Sequence, residues 1–273
     1  MVGQYIKCIE IESLWKGTRH IRWELQPGVN VLSGINGVGK STILRKTIHR
    51  LTQGKDELSR DYNNIGVHLT FEPAEADTVR FDVIRGVDRP LMSADVLQRV
   101  ADRHMHTELD WQLYQLQRRY LDYQVNQSNR IVQLFTSSDP EAQHKAAEIA
   151  AEKSHFQDVI DRLFKSTGKT IDRQSNEVYF HHLDERITPY MLSSGEKQIL
   201  IILLTVLVEN RQPTVLLMDE PEISLHIEWQ QQLLEQILDL NPSVQIIVTT
   251  HSPAVIMSGW MDRVTDVEDI IVE

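Results

Sequence analysis

Val31-Leu-Ser-Gly-Ile-Asn-Gly-Val-Gly-Lys-Ser-Thr42 is the most informative segment of the sequence. The phosphate-binding-loop pattern G-x-x-x-x-G-K-[ST] is met by Gly34, Gly39, Lys40 and Ser41. Glycines let successive backbone N–H groups turn toward a polyphosphate, where a side chain would collide with it. Residues 28–33 are typical of a strand and residues 41–51 of a helix, whose N-terminal dipole would face the anion. This context favours a phosphate-binding loop over a chance glycine turn.

The length and composition fit one large α/β domain or a core that carries an insertion. The chain has 273 residues, of which 41% are hydrophobic. Its longest apolar run, residues 199–208, is shorter than the ~20 residues that span a bilayer, and residues 1–15 lack the apolar core of a secretion signal. A single cysteine, Cys8, excludes a disulfide within the chain and a four-cysteine zinc site. We therefore expect a cytoplasmic protein that does not act at a membrane.

The net charge of −11 is unevenly distributed along the chain. Residues 1–60 hold 10 Lys and Arg against 5 Asp and Glu, whereas residues 213–273 hold 1 against 11. Since affinity for nucleic-acid phosphates comes from Lys and Arg, an acidic chain is a poor binder of DNA by itself. The composition therefore does not indicate a nucleic-acid partner, although a local basic stripe would allow one.

Residues 1–92 are predicted to form a β-rich lobe around the phosphate-binding loop. Stretches with the apolar alternation of strands are 5–14, 20–25, 65–71 and 78–84. We expect the last two to form a hairpin joined by residues 72–77. Trp15 and Trp23 precede the loop, where an aromatic side chain can stack on adenine but more often packs in a core.

Residues 93–168 are predicted to be a helical insertion, because residues 93–165 contain one proline and no glycine. A heptad-like seam is formed by Trp111, Tyr114, Arg118, Leu121, Val125, Ser128, Val132 and Phe135. A second seam is formed by Ala142, Ala146, Ile149, Lys153, Phe156, Ile160 and Leu163. The break between them predicts Asp139 as an N-cap and Pro140 as the first helical residue. We expect two antiparallel helices, either as a projecting arm or as a layer over the core.

Residues 169–273 are predicted to complete a parallel sheet. Residues 177–180 should be a strand that returns to the core. Residues 213–219 and 244–250 are continuous apolar strands, as buried parallel strands are. Ligands bind outside the carboxyl ends of such strands. The side chains expected at this edge are those of Lys40, Asp219, Glu220 and His251.

The order of five motifs resembles that of ABC-type ATPases. These motifs are the phosphate-binding loop and residues 192–198, 216–222, 223–226 and 249–253. In detail, Leu-Ser-Ser-Gly-Glu at 192–196 and Ser-Leu-His at 224–226 are similar to a soluble branch. That branch holds RecF, structural-maintenance-of-chromosomes and overcoming-lysogenization-defect ATPases and AAA-15/AAA-21-like ATP-binding proteins. The resemblance covers residues 1–90 and 170–260. It implies an α/β P-loop fold of ABC type with an inserted helical hairpin.

The resemblance implies ATP and Mg²⁺ at the sheet edge. The loop residues that would contact ATP are Gly34, Asn36, Gly37, Val38, Gly39, Lys40, Ser41 and Thr42. Ser41 and Asp219 would hold Mg²⁺. Catalysis would rest on Lys40 at the β- and γ-phosphates, Glu220 at the attacking water and His251 near the γ-phosphate. Because two acids ending an apolar strand are costly without a cation, this interpretation is favoured over helix capping.

Residues 192–196, which correspond to the signature stretch of the ABC-type family, imply a second copy of the chain. In the family its residues face the nucleotide of a partner subunit, and they correspond here to Ser193, Ser194, Gly195 and Glu196. Without the resemblance they would indicate a helix N-cap alone. The implied assembly is a head-to-tail homodimer around two ATPs, with higher oligomers left open.

Two groups of residues fit no motif. The glutamine that links the lobes in this family has no clear counterpart, because Gln53 is too early and Gln98 lies in the insertion. The histidine pairs lack a third metal ligand in the sequence and are interpreted as surface residues; they are His104 with His106 and His181 with His182.

The leading hypothesis is a soluble ATPase whose ATP-bound dimer drives a separate effector, such as a nuclease or toxin. Because about twenty residues follow His251, we expect any nuclease or toxin activity to come from another protein. The resemblance implies a role in DNA repair or bacterial anti-phage defence. One alternative is the ATPase subunit of a transporter, which the variant motifs at 192–196 and 224–226 oppose. Another alternative is a protein that binds ATP as a sensor and does not hydrolyse it. The presence of Glu220 and His251 argues against this alternative.

Overall fold

The computed structural model describes residues 1–14, 19–53, 66–85 and 106–272. The strands in chain order are β1 Val2–Gly3, β2 Tyr5–Leu14, β3 Arg19–Glu24, β4 Val29–Ser33, β5 Val67–Glu72, β6 Thr78–Val79, β7 Phe81–Arg85, β8 Thr170–Ile171, β9 Phe180–His182, β10 Glu185–Ile187, β11 Thr214–Asp219, β12 Val244–Thr249, β13 Val264–Asp266 and β14 Ile271–Val272. The helices are α1 Lys40–Gln53, α2 Glu108–Thr136, α3 Ala142–Leu163, α4 Ser194–Val208, α5 Ile227–Leu240 and α6 Pro253–Met257. Short 3₁₀ turns cover Phe164–Thr167, Pro189–Met191, Met261–Arg263 and Val267–Ile270.

Contacts divide the chain into two units. The first comprises residues 1–86, 212–238 and 242–273, and the second comprises 87–211 and 239–241. The predicted division of the chain into three domains at residues 92 and 168 remains a prediction. The second unit continues past residue 168 and includes α4.

The first unit is built on a five-stranded parallel sheet in the order β13-β4-β12-β11-β7. Strands β11 and β12 are buried almost throughout, which explains their continuous apolar sequence. A four-stranded antiparallel sheet, β14-β3-β2-β5, shares a hydrophobic core with this sheet and α1. Since the central strands are parallel, the carboxyl ends of β4, β11 and β12 meet at one edge.

The predicted hairpin of residues 65–71 and 78–84 is wrong. Strand β5 pairs antiparallel with β2, whereas β7 pairs parallel with β11 in the other sheet. An alternating pattern indicates a strand but does not name its partner, and β2 offers β5 a half-buried antiparallel neighbour. Residue 65 lies outside the described residues.

The second unit contains α2, α3 and α4 with the small antiparallel sheet β10-β9-β8. Helices α2 and α3 run antiparallel, since Gln124 bonds Lys153 and Gln127 bonds Glu152. Both helices pack against α4, so this part of the insertion is a layer on that helix. The strand predicted at 177–180 is observed as Phe180–His182 and belongs to the small sheet, which corrects its predicted return to the core.

The seam predicted for α2 is wrong, because it selects the exposed face. Val125, Val132 and Phe135 are 59%, 60% and 61% exposed. The buried face is formed by Leu109, Leu113, Leu116, Tyr120, Tyr123 and Gln127. The seam predicted for α3 is confirmed at its apolar positions, which are buried from Ala142 to Leu163.

The helix ends also differ from the prediction. Helix α3 begins at Ala142, so Asp139 is not its N-cap; the Asp139 carboxylate instead accepts the backbone N–H of Glu141 at 2.9 Å. Helix α2 begins with a capping box in which Thr107 and Asp110 bond each other's backbone N–H groups. In the described part of the chain no helix is long and apolar enough to cross a membrane.

Candidate functional site

The phosphate-binding loop connects β4 to α1, and two of its glycines, Gly34 and Gly37, have backbone conformations that other residues rarely adopt. Gly34 has φ +145°, and a Cβ there would lie 2.9 Å from Val38 Cγ1. Gly37 has φ +83°, and a Cβ there would meet nothing within 4 Å. Ile35 and Asn36 are exposed, and the glycines on either side of them leave the backbone of the loop accessible to an anion.

The Lys40 side chain folds back over this loop. Its Nζ donates to the carbonyl oxygens of Gly34 at 2.8 Å and Ile35 at 3.1 Å. Burial lowers the pKa of the Lys40 ammonium, while the carboxylates of Glu220 and Asp219 oppose that effect. The ammonium is therefore held at the loop by weak carbonyl partners that a phosphate oxygen can replace.

Asp219 is the centre of a hydroxyl–carboxylate cluster. Its Oδ1 accepts from Ser41 Oγ at 2.9 Å and from Thr249 Oγ1 at 2.5 Å. The register of β11 and β12 places Asp219 opposite Thr249. Hydroxyl and carboxylate oxygens are the ligands that Mg²⁺ prefers, so Ser41 and Asp219 fit the predicted metal site. Thr249 was not predicted as a site residue. The feature that could have indicated it is its position at the end of a strand beside the acidic pair, Asp219 and Glu220.

Glu220 has a left-handed backbone with φ +47°. Such a conformation costs a non-glycine residue about 1–3 kcal/mol and persists where neighbouring bonds impose it. Here the Glu220 N–H donates to the Thr249 carbonyl at 2.9 Å. The turn directs the carboxylate toward His251, whose Nε2 lies 3.1 Å from Glu220 Oε1.

A buried carboxylate supports the loop that carries His251. Glu222 is 7% exposed, and its Oε1 accepts from the Thr250 hydroxyl and from the His251 N–H at 3.2 Å. Ser252 Oγ donates to Gln230 Oε1 on α5 at 2.6 Å. These bonds order residues 250–252 beside Glu220. Sequence reasoning did not assign Glu222 a role, although it follows the acidic pair by two residues.

The signature stretch lies in the second unit, where it starts α4. Ser193 is the N-cap, and its Oγ accepts from the Glu196 N–H at 3.4 Å. The Glu196 carboxylate returns a bond to the Ser193 N–H at 2.9 Å. Ser193 and Ser194 are exposed and Gly195 is partly exposed, whereas Glu196 is 1% exposed and does not present its side chain to a ligand, which corrects its expected place among the nucleotide-facing residues. Burial alone would raise the pKa of Glu196, but hydrogen bonds from Lys169 and Ser193 hold it below its ordinary value.

The remaining candidate residues are placed as follows. Trp23 is 2% exposed in the core and donates to Thr265 Oγ1 at 3.3 Å, so it does not present a face to a ligand. His106 and His181 are exposed, and His182 is partly exposed. Trp15, His104 and Gln98 lie outside the described residues, and Gln53 ends α1.

The parallel sheet and the phosphate-binding loop define a P-loop nucleotide-binding fold of the ABC and chromosome-maintenance head type. The chain belongs to the AAA_21 family, described as "AAA domain, putative AbiEii toxin, Type IV TA system", whose model matches residues 82–258. The matched range holds the signature, the acidic pair and His251 and leaves out the phosphate-binding loop.

Similar proteins support this assignment. The solved structure of an Smc head bound to the C-winged helix domain of ScpA matches with a TM-score of 0.52 and 12% identity, covering 93% of this chain and 91% of that one. The Septu protein PtuA of Bacillus thuringiensis is 23% identical over 94% of this chain and 74% of its own length. A retron Vc95 probable ATPase of Vibrio cholerae serotype O1 biovar El Tor is 20% identical over 45% of this chain. That alignment spans 30% of the retron protein's length.

Proposed function

We propose that this chain binds ATP with Mg²⁺ and hydrolyses it to ADP and phosphate. The observation that carries the proposal is the cluster at the edge of the parallel sheet. There Ser41 Oγ lies 2.9 Å from Asp219, and Glu220 lies 3.1 Å from His251. A metal position and a general base are thus side by side, next to a loop suited to phosphates.

Each side chain has a role that follows from its contacts. The backbone N–H groups of residues 34–42 bind the phosphates, and Lys40 exchanges its carbonyl partners for phosphate oxygens. Ser41 and Asp219 would hold Mg²⁺, which when bound would neutralise charge on the phosphates. Glu220 orients the attacking water and accepts its proton, and His251 holds the Glu220 carboxylate in position.

We further propose that two copies close head to tail around two ATPs. The support is the exposed Ser193–Ser194 end of α4, a helix N-terminus suited to an anion. The closed dimer would act on a separate effector such as a nuclease or toxin. Similarity to a retron ATPase and to a Septu protein supports a role in bacterial anti-phage defence over one in DNA repair.

The test is the Glu220→Gln variant, compared with the wild-type chain. It removes the base but keeps the shape of the side chain. We expect a fluorescent ATP analogue to bind with the wild-type Kd, while phosphate release falls by about 10²-fold or more. Equal turnover in the two proteins would contradict the role of Glu220. Binding without turnover in the wild-type chain would instead favour the alternative of an ATP sensor.

A further inference from the structure

The carboxylate of Glu196 lies directly behind the Ser193 hydroxyl. Glu196 is 1% exposed, and its Oε2 accepts from both Ser193 N and Ser193 Oγ at 2.9 Å. Its Oε1 lies 2.8 Å from Lys169 Nζ, in an ion pair whose side chains are 15% and 2% exposed. Lys169 precedes β8, so a distant segment of the chain supplies the charge partner of the signature helix.

A buried carboxylate in this place creates an electrostatic problem for the proposed dimer. The Ser193 hydroxyl would contact a phosphate of the second copy, and it is separated from Glu196 by a single hydrogen bond. Two anions so close repel strongly in a site from which water is excluded. The dipole of α4 favours an anion at its N-terminus, but an uncompensated carboxylate in the first turn would offset that effect.

We propose that Lys169 is a positioning residue that neutralises Glu196 and thereby lets the Ser193 end of α4 accept the triphosphate of a second copy. This inference rests on the proposed function and adds a residue outside the five motifs. Lys169 acts through Glu196: it compensates the charge of the carboxylate that accepts the one Ser193 hydroxyl proton, so that this proton can turn to a phosphate oxygen.

The same helix offers a matched control. Lys197 follows Glu196 directly, and its Nζ lies 2.8 Å from Asp110 Oδ1, with side chains that are 11% and 2% exposed. This ion pair is equally buried, but Asp110 caps the start of α2 instead of α4. Loss of the Lys197 pair therefore removes an ion pair of similar burial without placing a free carboxylate behind Ser193.

The experiment uses the full chain with Glu220→Gln as the parent, so that ATP is retained. Lys169→Met, Lys169→Arg, Lys197→Met and the double variant Lys169→Met/Glu196→Gln are compared with it. Binding of a fluorescent ATP analogue is measured at dilution, and the ATP-dependent dimer fraction is measured by light scattering. Thermal melts report folding of each variant.

We expect Lys169→Met to bind the analogue like the parent but to need at least about tenfold more protein to dimerise. Lys169→Arg should dimerise like the parent. The double variant should recover dimerisation, because Gln keeps the capping box without the charge. Lys197→Met should lower the melting temperature and leave dimerisation unchanged.

Several outcomes would overturn the inference. They are unimpaired dimerisation of Lys169→Met, an equal defect in the double variant, and an equal defect in Lys197→Met. The second and third outcomes would show that the role of Lys169 is merely structural. A parent that binds no ATP, or binds it and never dimerises, contradicts the proposed function and this inference together. A parent that dimerises beside an unimpaired Lys169→Met contradicts the inference alone.

Discussion

At the scale of single residues, the chemistry of the site depends on side chains that arrive from separate elements. Lys40 starts a helix, Asp219 ends one strand and Thr249 ends another. The motifs in the sequence predict that Lys40, Asp219 and His251 share one edge, because parallel strands bring their carboxyl ends together. Thr249 and Glu222 escaped prediction, since a position beside the acidic pair does not assign a threonine or a third acid a role until its hydrogen-bond partner is seen.

Replacing Lys40 with Ala should strongly weaken binding of ATP. The ammonium is the cation that the loop holds over its own carbonyls, and charge-assisted bonds to phosphate are among the stronger hydrogen bonds. We expect affinity for a fluorescent ATP analogue to fall by at least about tenfold. Arg45→Ala, which removes an exposed positive charge from the same helix, is the control and should keep the wild-type Kd. Wild-type affinity in Lys40→Ala would refute the loop assignment.

Thr249→Val should slow hydrolysis more than it weakens binding. The change removes the 2.5 Å bond that orients Asp219 and a contact to the Glu220 N–H. We expect phosphate release to fall about tenfold, with a loss of folding free energy of about 1–2 kcal/mol. Thr47→Val is the matched control, because that buried hydroxyl bonds a carbonyl of its own helix at 2.9 Å. Equal effects of the two substitutions on turnover would leave Thr249 a structural residue.

At the scale of elements, helix existence was easier to predict than helix orientation. The apolar seam of α3 identified its buried face, whereas the seam of α2 selected Val125, Val132 and Phe135, which are exposed. Both stripes on α2 have helical spacing, so periodicity alone cannot choose between them. The choice is made by packing against α4 and α3. The pairing of strands β5 and β7 was also predicted wrongly, because their actual partners are distant in sequence.

The orientation of α2 can be measured through stability. Tyr120 is 1% exposed, and Tyr120→Ala should lower the free energy of unfolding by about 3–5 kcal/mol because it leaves a cavity. Val125→Ala lies on the opposite face and should cost less than about 0.5 kcal/mol. Urea denaturation of both variants checks this. A larger loss from Val125→Ala would reverse the assigned face.

Two buried carboxyl groups should make the free energy of unfolding depend on pH in the acid range: Glu196 of α4, and Asp110, which pairs with Lys197 of α4. Burial favours a raised pKa, but Lys169 holds the Glu196 carboxyl below its ordinary value of 4.5, and Lys197 does the same for Asp110. A lowered folded-state pKa stabilises the protein above the ordinary pKa, and this stabilisation is lost as the pH falls through the folded-state value. We expect the free energy of unfolding to decline below pH 4.5, less steeply in Glu196→Gln. Parallel pH profiles for the two proteins would contradict the lowered pKa.

At the scale of the whole molecule, the order of motifs predicted the class of protein. The match to the AAA_21 family confirms that prediction, and the similarity to an Smc head confirms the fold. The family is readable from sequence because phosphate binding imposes residue types at set spacings. Assembly is not readable in this way, since an exposed helix N-terminus looks the same with or without a second copy. Dimerisation and the effector therefore remain proposals.

The central claim is that ATP is hydrolysed by two copies acting together, each completing the site of the other. The most direct measurement is the rate of Mg²⁺-dependent phosphate release per chain over a wide range of protein concentration. Specific activity should rise with concentration until the dimer saturates, and Lys169→Met should shift the rise to higher concentration. A specific activity that is constant from the most dilute sample onward would show that one copy is a complete ATPase and that no second copy is needed.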